Sequence, residues 1–256
     1  KRKLNAQRFF IATHQQLMRI VSFGITGFDT PVSGLGLTET QASIKNLKTV
    51  YQLSLQPLIT SKDKDLHQKF LNENQEAIDF IEKNPDFESF DRYTFLRDYF
   101  NPMMRSWVEI RKTSAIWEPV NNKPFNFEAP TFFEDNSFNI DYFRQVTNRN
   151  PSEAKIALGK RLFFEENLSE SSKMSCATCH IPNKAYADGM ITNLNNEGKP
   201  LQRNSPTLVN AVFQKGFFWD GRAESLLAQI SGVFTNEEEF NSAIHEFSGD
   251  IAKDSS

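Results

Sequence analysis

Cysteine is scarce in this chain: two occur in 256 residues, at positions 176 and 179, so no other thiol competes with them. Histidine is nearly as rare. Besides His180, only His14, His67 and His245 occur, and none has the paired spacing of a metal-ligand set. A structural zinc site, which wants four Cys or His ligands, is therefore poorly supplied. No apolar run reaches the length of about 18 residues that a membrane-spanning helix needs. A net charge of −3 gives no basic surface for nucleic acid. The chain opens at Lys1 with neither a methionine nor an apolar signal region. What is present, 39% hydrophobic and 24% charged residues, belongs to a globular protein rather than a disordered one. At this length there is room for one large domain or two ordinary ones.

The two cysteines stand in Ser175-Cys176-Ala177-Thr178-Cys179-His180. Two cysteines two residues apart, followed at once by histidine, form the attachment signature of c-type haem. On one helical turn each thiol can form a thioether to a haem vinyl group, and His180 then presents its imidazole to the iron. A dithiol redox site is an alternative, but it expects a βαβ pattern, which the sequence does not show. Zinc is weaker still. The 24 phenylalanines supply aromatic surface for wrapping a flat apolar macrocycle.

From Lys1 to about Thr113 the apolar spacing is helical. Phe10, His14, Leu17 and Val21 share one face of a first helix, ended by Gly24, Gly27 and the Pro31–Gly36 stretch. Thr38 and Gln41 read as a capping box opening a second helix, with Ile44, Leu47, Tyr51, Leu55 and Leu58 inward. A third helix runs from about Lys62 to Lys83, burying Leu66, Phe70, Ala77 and Ile81, and closes at Asn84-Pro85. A fourth, from about Ser89, carries Tyr93, Leu96 and Phe100. Asn101-Pro102 then kinks it or opens a new helix, whose stripe is Met104, Trp107 and Ile110. The pattern is that of an up-and-down bundle whose Met and aromatic stripes are core. His14 belongs to that core, packed or hydrogen-bonded; His67, beside Lys64, Asp65 and Lys69, reads as surface. No chemistry is assigned to this region.

Residues 114 to 150, with Pro119, Pro124, Pro130 and several asparagines, read as an extended connector whose phenylalanines lie against a surface. The domain boundary is placed there, giving a helical bundle plus connector over 1–140 and a second domain over 141–256. In the second, a helix opens at Ser152 after Pro151. The attachment motif and a polar loop follow, then helical stretches from about Glu224 and about Glu238.

Several blocks of this second domain occur in a fixed order. They are Leu158-Gly159-Lys160-Arg161-Leu162-Phe163-Phe164, the Ser175–His180 motif, Asp188-Gly189, Arg203-Asn204-Ser205-Pro206-Thr207 and Trp219-Asp220-Gly221-Arg222-Ala223. Over residues 150 to 256 the chain resembles the first, peroxidatic haem domain of the bacterial di-haem cytochrome c peroxidases. The expected fold is accordingly mainly α, an N-terminal helical bundle followed by a cytochrome c-like helical haem domain. The resemblance implies a haem c peroxidase reducing hydrogen peroxide to water. Electrons would come from a small cytochrome or copper protein through a second haem domain. No second Cys-x-x-Cys-His is present, and the chain stops at Asp254-Ser255-Ser256 within what resembles a helix. It is therefore expected to be part of a longer polypeptide, matured outside the cytoplasm in the periplasm, with a leader removed upstream of Lys1. A homodimer is compatible with the resemblance.

The resemblance also assigns residues. His180 is the proximal iron ligand. Glu239, in Glu239-Phe240-Asn241 with Gln229 and Gly232 in step, is the acid–base residue over the open face of the haem. Glu238 is the neighbouring alternative, and all three of Glu237–Glu239 can instead be read as an acidic helix start. Trp219 is either an electron-transfer residue between two haems or an interface or core aromatic. Arg203 and Arg222 are candidate partners of the haem propionates, or plain surface arginines. Asn204 matches a residue that helps hold a calcium ion between the two domains. One departure stands out: many members carry a histidine in the loop after Asp-Gly that ligates the resting iron. Met190 to Leu201 has none, with Asn195 and Asn196 near the place. Met190 and His245 are then the candidates for a sixth ligand, against a five-coordinate or water-bound iron. A non-enzymatic electron-transfer cytochrome would want a methionine ligand well downstream of the motif, and no methionine lies beyond residue 190. A di-haem oxidase acting on residues of another protein is the further alternative.

Overall fold

In a computed structural model the described residues are 5–118, 120, 123–143 and 152–242. The chain divides into two compact units, Lys1–Asn139 and Ile140–Ser256. It is mainly helical, with only isolated β-bridges among the described residues. None of the described helices is long and apolar enough to cross a membrane.

The first unit is built from α1 (Ala6–Arg19), α2 (Gly36–Ser54), α3 (Gln56–Lys62), α4 (Lys64–Lys83), a single turn α5 (Arg92–Thr94) and α6 (Asn101–Ser114). Helix α2 packs on α4 and α4 on α6. Phe10, Leu17, Ile44, Tyr51, Phe70 and Trp107 are wholly buried between them. Asn5 caps α1 and Asp63 caps α4, each side chain accepting a hydrogen bond from a backbone N–H three residues on.

Several expectations for this unit need correction. Helix α2 starts two residues before Thr38, and no side chain caps it. A tertiary contact sets its start: a Cβ on Gly36 would stand 2.3 Å from the Gly24 carbonyl oxygen, so only glycine lets the two segments touch. On the fourth helix Phe95 is buried and Tyr93 is 69% exposed. A π-helical stretch, Phe95–Phe100, lies between α5 and α6, and the Asn101 N–H bonds to the Leu96 carbonyl five residues back. The wider turn shifts the register that a 3.6-residue period assumes, and it makes way for Pro102, which can neither donate nor tolerate the carbonyl four residues before it. His67 is not plain surface: its Nδ1 lies 2.8 Å from the Tyr51 hydroxyl.

Of the segment expected as an extended connector, residues 123–139 instead fold back on themselves within the first unit, while Phe127 and Phe132 pack against a surface as expected. Phe125 and Phe138 form a bridge, the Asn126 N–H bonds to the Ser137 carbonyl, and Phe127 and Phe132 are buried. Their rings close over His14, at centroid distances of 4.6 and 5.0 Å. His14 is packed rather than hydrogen-bonded, since neither ring nitrogen finds a partner among the described residues. Near it lies Arg111, fully buried, with its guanidinium 4.9 Å from the Trp117 ring and 3.7 Å from the Glu128 carboxylate.

The second unit consists of α7 (Ile140–Phe143), α8 (Glu153–Phe163), the short α9 (Cys176–Cys179) and α10 (Leu226–Phe234), joined by long loops. Ser152 caps α8 and Ser225 caps α10. The stretch from Glu238 is a turn rather than a helix as far as Ser242. His245 and the residues from Asp254 on lie outside the described residues.

Burial and the nearby Arg111 charge push the His14 imidazole down to about 3 from an ordinary 6.5. Between those values the unfolded chain binds the proton and the folded chain does not, so stability falls as pH drops. Moving from pH 7 to pH 4.5 is expected to cost the first unit about 2–3 kcal/mol through this group. Urea unfolding followed by circular dichroism should show His14→Phe losing that share of the pH dependence. An unchanged profile in the variant would refute the assignment.

Candidate haem site

The attachment motif is held by its own side chains. Ser175 precedes α9 and is tied to its third residue: the Ser175 backbone N–H bonds to the Thr178 hydroxyl at 2.9 Å, one half of a capping box, while the Thr178 N–H bonds to the Ser175 carbonyl at 3.1 Å. Upstream, the Ser169 hydroxyl accepts from the Met174 N–H at 3.1 Å. The single turn places Cys176 and Cys179, both free thiols, and ends at His180, whose N–H reaches the Cys176 carbonyl at 2.9 Å.

His180 Nδ1 lies 3.0 Å from the carbonyl of Tyr186. A carbonyl only accepts, so Nδ1 carries a proton, and in the neutral ring Nε2 is then the nitrogen with the lone pair. That is the tautomer a metal-ligating imidazole needs. The carbonyl is set by a turn in which Ala185 and Tyr186 both take left-handed backbone, at φ 55° and 59°. Two non-glycine residues there cost on the order of 1 kcal/mol or more each. The Thr207 hydroxyl donates to the Ala185 carbonyl, and the Tyr186 N–H to the Ile181 carbonyl at 3.0 Å.

Both thiols stand above their usual pKa. Burial raises Cys176, while burial followed by the carboxylates of Glu239 and Asp188 pushes Cys179 up to about 11. Glu239 therefore shares the surroundings of the motif. Among the three consecutive acids, Glu237 and Glu238 are exposed and Glu239 is partly buried. Asn236 Nδ2 donates to Glu239 Oε1 at 2.8 Å, and the Glu239 N–H bonds to the Asn236 carbonyl at 3.0 Å. Burial raises the Glu239 carboxyl above the ordinary carboxylate range, against smaller opposing effects of Asn236 and Arg222. The next residue, Phe240, anchors the turn. It is buried beside Leu168 and Met174, with the Phe234 ring at 5.0 Å.

The Trp219–Ala223 block forms a turn closed by the Phe217–Ala223 bridge. The Arg222 guanidinium lies 3.6 Å from the Phe218 ring centroid and bonds to Asp220 at 2.9 Å. Arg203 approaches the same carboxylate at 3.5 Å. Two guanidinium groups thus share one carboxylate and keep donors free for further anions. Trp219 is 62% exposed, and its indole N–H reaches the Asn204 carbonyl at 3.3 Å, so it is not a core residue. Asn204 and Met190 are also exposed. Among the described residues no group of three His, Cys, Asp or Glu side chains is placed to hold a metal ion, which leaves the zinc reading without ligands. The calcium reading of Asn204 keeps only the resemblance behind it.

These residues fit a covalently held haem. Two free thiols lie on one turn, with an imidazole after them in the metal-binding tautomer. Cys176, Cys179, Leu162 of α8 and Val233 of α10 pack around the same small core. Yet α8 and α10 have no buried residue, and Ile156, Leu158, Leu227 and Ile230 stand exposed. Apolar helix surface of that kind suits a large flat apolar group. Sequence reasoning missed Tyr186, Thr207 and Asn236. Tyr186 acts through its backbone, which leaves no side-chain signature, whereas Thr207 stood inside a block already singled out.

The family model for the di-haem cytochrome c peroxidases matches residues 153–256. Methylamine utilization protein MauG of Methylorubrum extorquens is 44% identical over 87 residues, covering 34% of this chain and 25% of that protein. Cytochrome c551 peroxidase of Pseudomonas aeruginosa is 44% identical over 91 residues, 36% of this chain and 26% of that one. Cytochrome c peroxidase Ccp of Escherichia coli is 39% identical over 98 residues, 38% and 21% of the two chains. The chain thus spans about a quarter of the length of these relatives. Matched in order from α8 through the motif to the Glu239 turn, residues 153–256 are thus similar to the di-haem cytochrome c peroxidases.

Proposed function

We propose that this chain carries the peroxide-reducing half of a haem c peroxidase. The observation that bears most weight is Glu239, a partly buried carboxyl held by Asn236 and close enough to the attachment motif to shift Cys179. Cys176 and Cys179 would hold the haem through thioethers, and His180 Nε2 would ligate its iron, with Arg203 and Arg222 facing the propionates. The haem supplies the iron at which the peroxide O–O bond is broken. Glu239 takes the proton from the inner peroxide oxygen and delivers it to the outer one, so that water rather than hydroxide departs. A carboxyl raised by burial is suited to hold and release that proton. Overall, hydrogen peroxide, two electrons and two protons give two waters. The electrons come from a small cytochrome or copper protein by way of a second haem domain, and exposed Trp219 offers an aromatic surface on that route. Covalent haem attachment places maturation outside the cytoplasm.

Two measurements test this reading. In the haem-loaded oxidised chain, a high-spin optical spectrum is expected, with a rapid change on adding peroxide. Glu239→Gln should slow that change by about 10²–10⁴-fold. A low-spin spectrum indifferent to peroxide would support an electron carrier instead. In the haem-free chain, Cys179 should react with iodoacetamide about a hundredfold more slowly at pH 8 than an ordinary thiol, because little thiolate is present. Glu239→Gln should speed it. Identical rates in both proteins would remove Glu239 from the neighbourhood of the motif.

A further inference from the structure

The loop between the attachment motif and the Trp219 block is ordered by its own hydrogen bonds. Residues 193–201 form a small hairpin: Leu194 and Pro200 make a bridge, and the Leu201 N–H bonds to the Asn193 carbonyl at 2.7 Å. Asn195 ties its tip, its Oδ1 accepting from the N–H groups of Glu197 and Lys199 at 3.0 and 2.8 Å. Such side-chain-to-backbone bonds give a short loop one defined shape.

This hairpin is fastened at two places. Asn193 is buried, and its Nδ2 donates to the Ser205 hydroxyl at 3.2 Å; Ser205 stands two residues before Thr207, whose hydroxyl holds the Ala185–Tyr186 turn against His180. At the tip, Asn196 makes two bonds to the turn that carries Glu239. Its Nδ2 donates to the Glu237 carbonyl at 2.8 Å and its backbone N–H to the Glu238 carbonyl at 3.2 Å. From the other side, the Glu170 N–H bonds to the Phe240 carbonyl at 2.9 Å and Asn241 Nδ2 donates to the Glu170 carboxylate. The acidic turn is therefore gripped at Glu237–Glu238 by the hairpin and at Phe240–Asn241 by the segment before the motif.

We infer that the 193–201 hairpin is a strut that fixes the Glu239 turn relative to the attachment motif, and that Asn196 is the positioning residue at its working end. The inference rests on the reading of Glu239 as the proton-transfer group. Asn196 touches two carbonyls rather than the carboxylate, so it acts on position alone. Without its amide, Asn236 still bonds Glu239 and the Asn196 N–H still bonds the Glu238 carbonyl, but the hairpin loses its shorter bond to the turn, that to the Glu237 carbonyl. Proton transfer is sensitive to displacements of the order of 1 Å, so a loosened turn should show in the rate.

Asn196→Ala in the haem-loaded chain tests this. The reaction with peroxide is expected to slow about tenfold, while carbon monoxide binding to the reduced iron, which needs no proton shuttle, keeps its rate. Amide exchange at Glu239 and Asn241 should quicken in the same variant, independently of any activity. In a Glu239→Gln background, Asn196→Ala should cause no further loss, because the two residues act as one unit. If Glu239→Gln slows the reaction but Asn196→Ala changes neither rate nor exchange, or if the two losses multiply, the strut is wrong and the function stands. If Glu239→Gln reacts at the unmodified rate, the proposed function falls, and the catalytic role of the strut falls with it.

Discussion

One hydrogen bond organises the second unit: His180 Nδ1 to the Tyr186 carbonyl at 3.0 Å. It selects a tautomer, aims the ring and leaves Nε2 as the free lone pair. Its supports explain why several separate blocks are needed. The two bonds between Ser175 and Thr178 make the turn that ends at His180. Thr207, from a loop more than 20 residues on, holds the left-handed turn that offers the carbonyl. Asn193 and Ser205 connect the same region to the hairpin that reaches Glu239. On the proposed reading, the iron-side base and the peroxide-side acid are the two ends of one polar framework.

The two units solve the problem of stability differently. The first has a large sealed core of aromatic and aliphatic side chains, and it carries the unpartnered His14 and the weakly paired Arg111 within it. Buried groups of that kind are costly, and a core that size can offset them. The second unit has Leu168, Met174 and Phe240 as its buried cluster, and its helices α8 and α10 bury nothing. Hydrogen-bonded loops, rather than packing, define its shape. Such an economy is reasonable where the main apolar contacts of the helices are made with a bound macrocycle rather than with each other.

Much of this was legible in the sequence, and the failures have causes. Helical periodicity located the buried positions Phe10, Leu17, Ile44, Tyr51, Phe70 and Trp107, because apolar spacing of that kind reflects core packing directly. It failed at Tyr93 and Phe95, where a π-helical stretch breaks the period on which the method depends. Thr38 misled because capping chemistry is local, whereas the close approach of Gly24 and Gly36 is tertiary. His67 was misread from its charged neighbours in sequence, while its partner Tyr51 stands sixteen residues away on another helix. The motif itself was plain, since thiol spacing and the following imidazole are written consecutively. Its supports were not, because carbonyls of Ala185 and Tyr186 carry no residue identity.

The acidic triplet shows how environment separates residues that composition cannot. Glu237, Glu238 and Glu239 are chemically identical and adjacent, and a helix start would use all three alike. In the folded chain no helix begins there among the described residues. The carbonyls of the first two are bound by Asn196 while their side chains face water. The third is turned inward, bonded by Asn236 and raised by burial. An exposed carboxylate stays ionised at neutral pH and gives no help to a departing oxygen. On the proposed reading, a carboxyl held away from water, close to the cysteines and near enough to Arg222 to feel its charge, is the one that exchanges a proton at modest cost. The asparagines on either side therefore do the selecting: one fixes the backbone of the exposed pair, and the other orients the acid that remains.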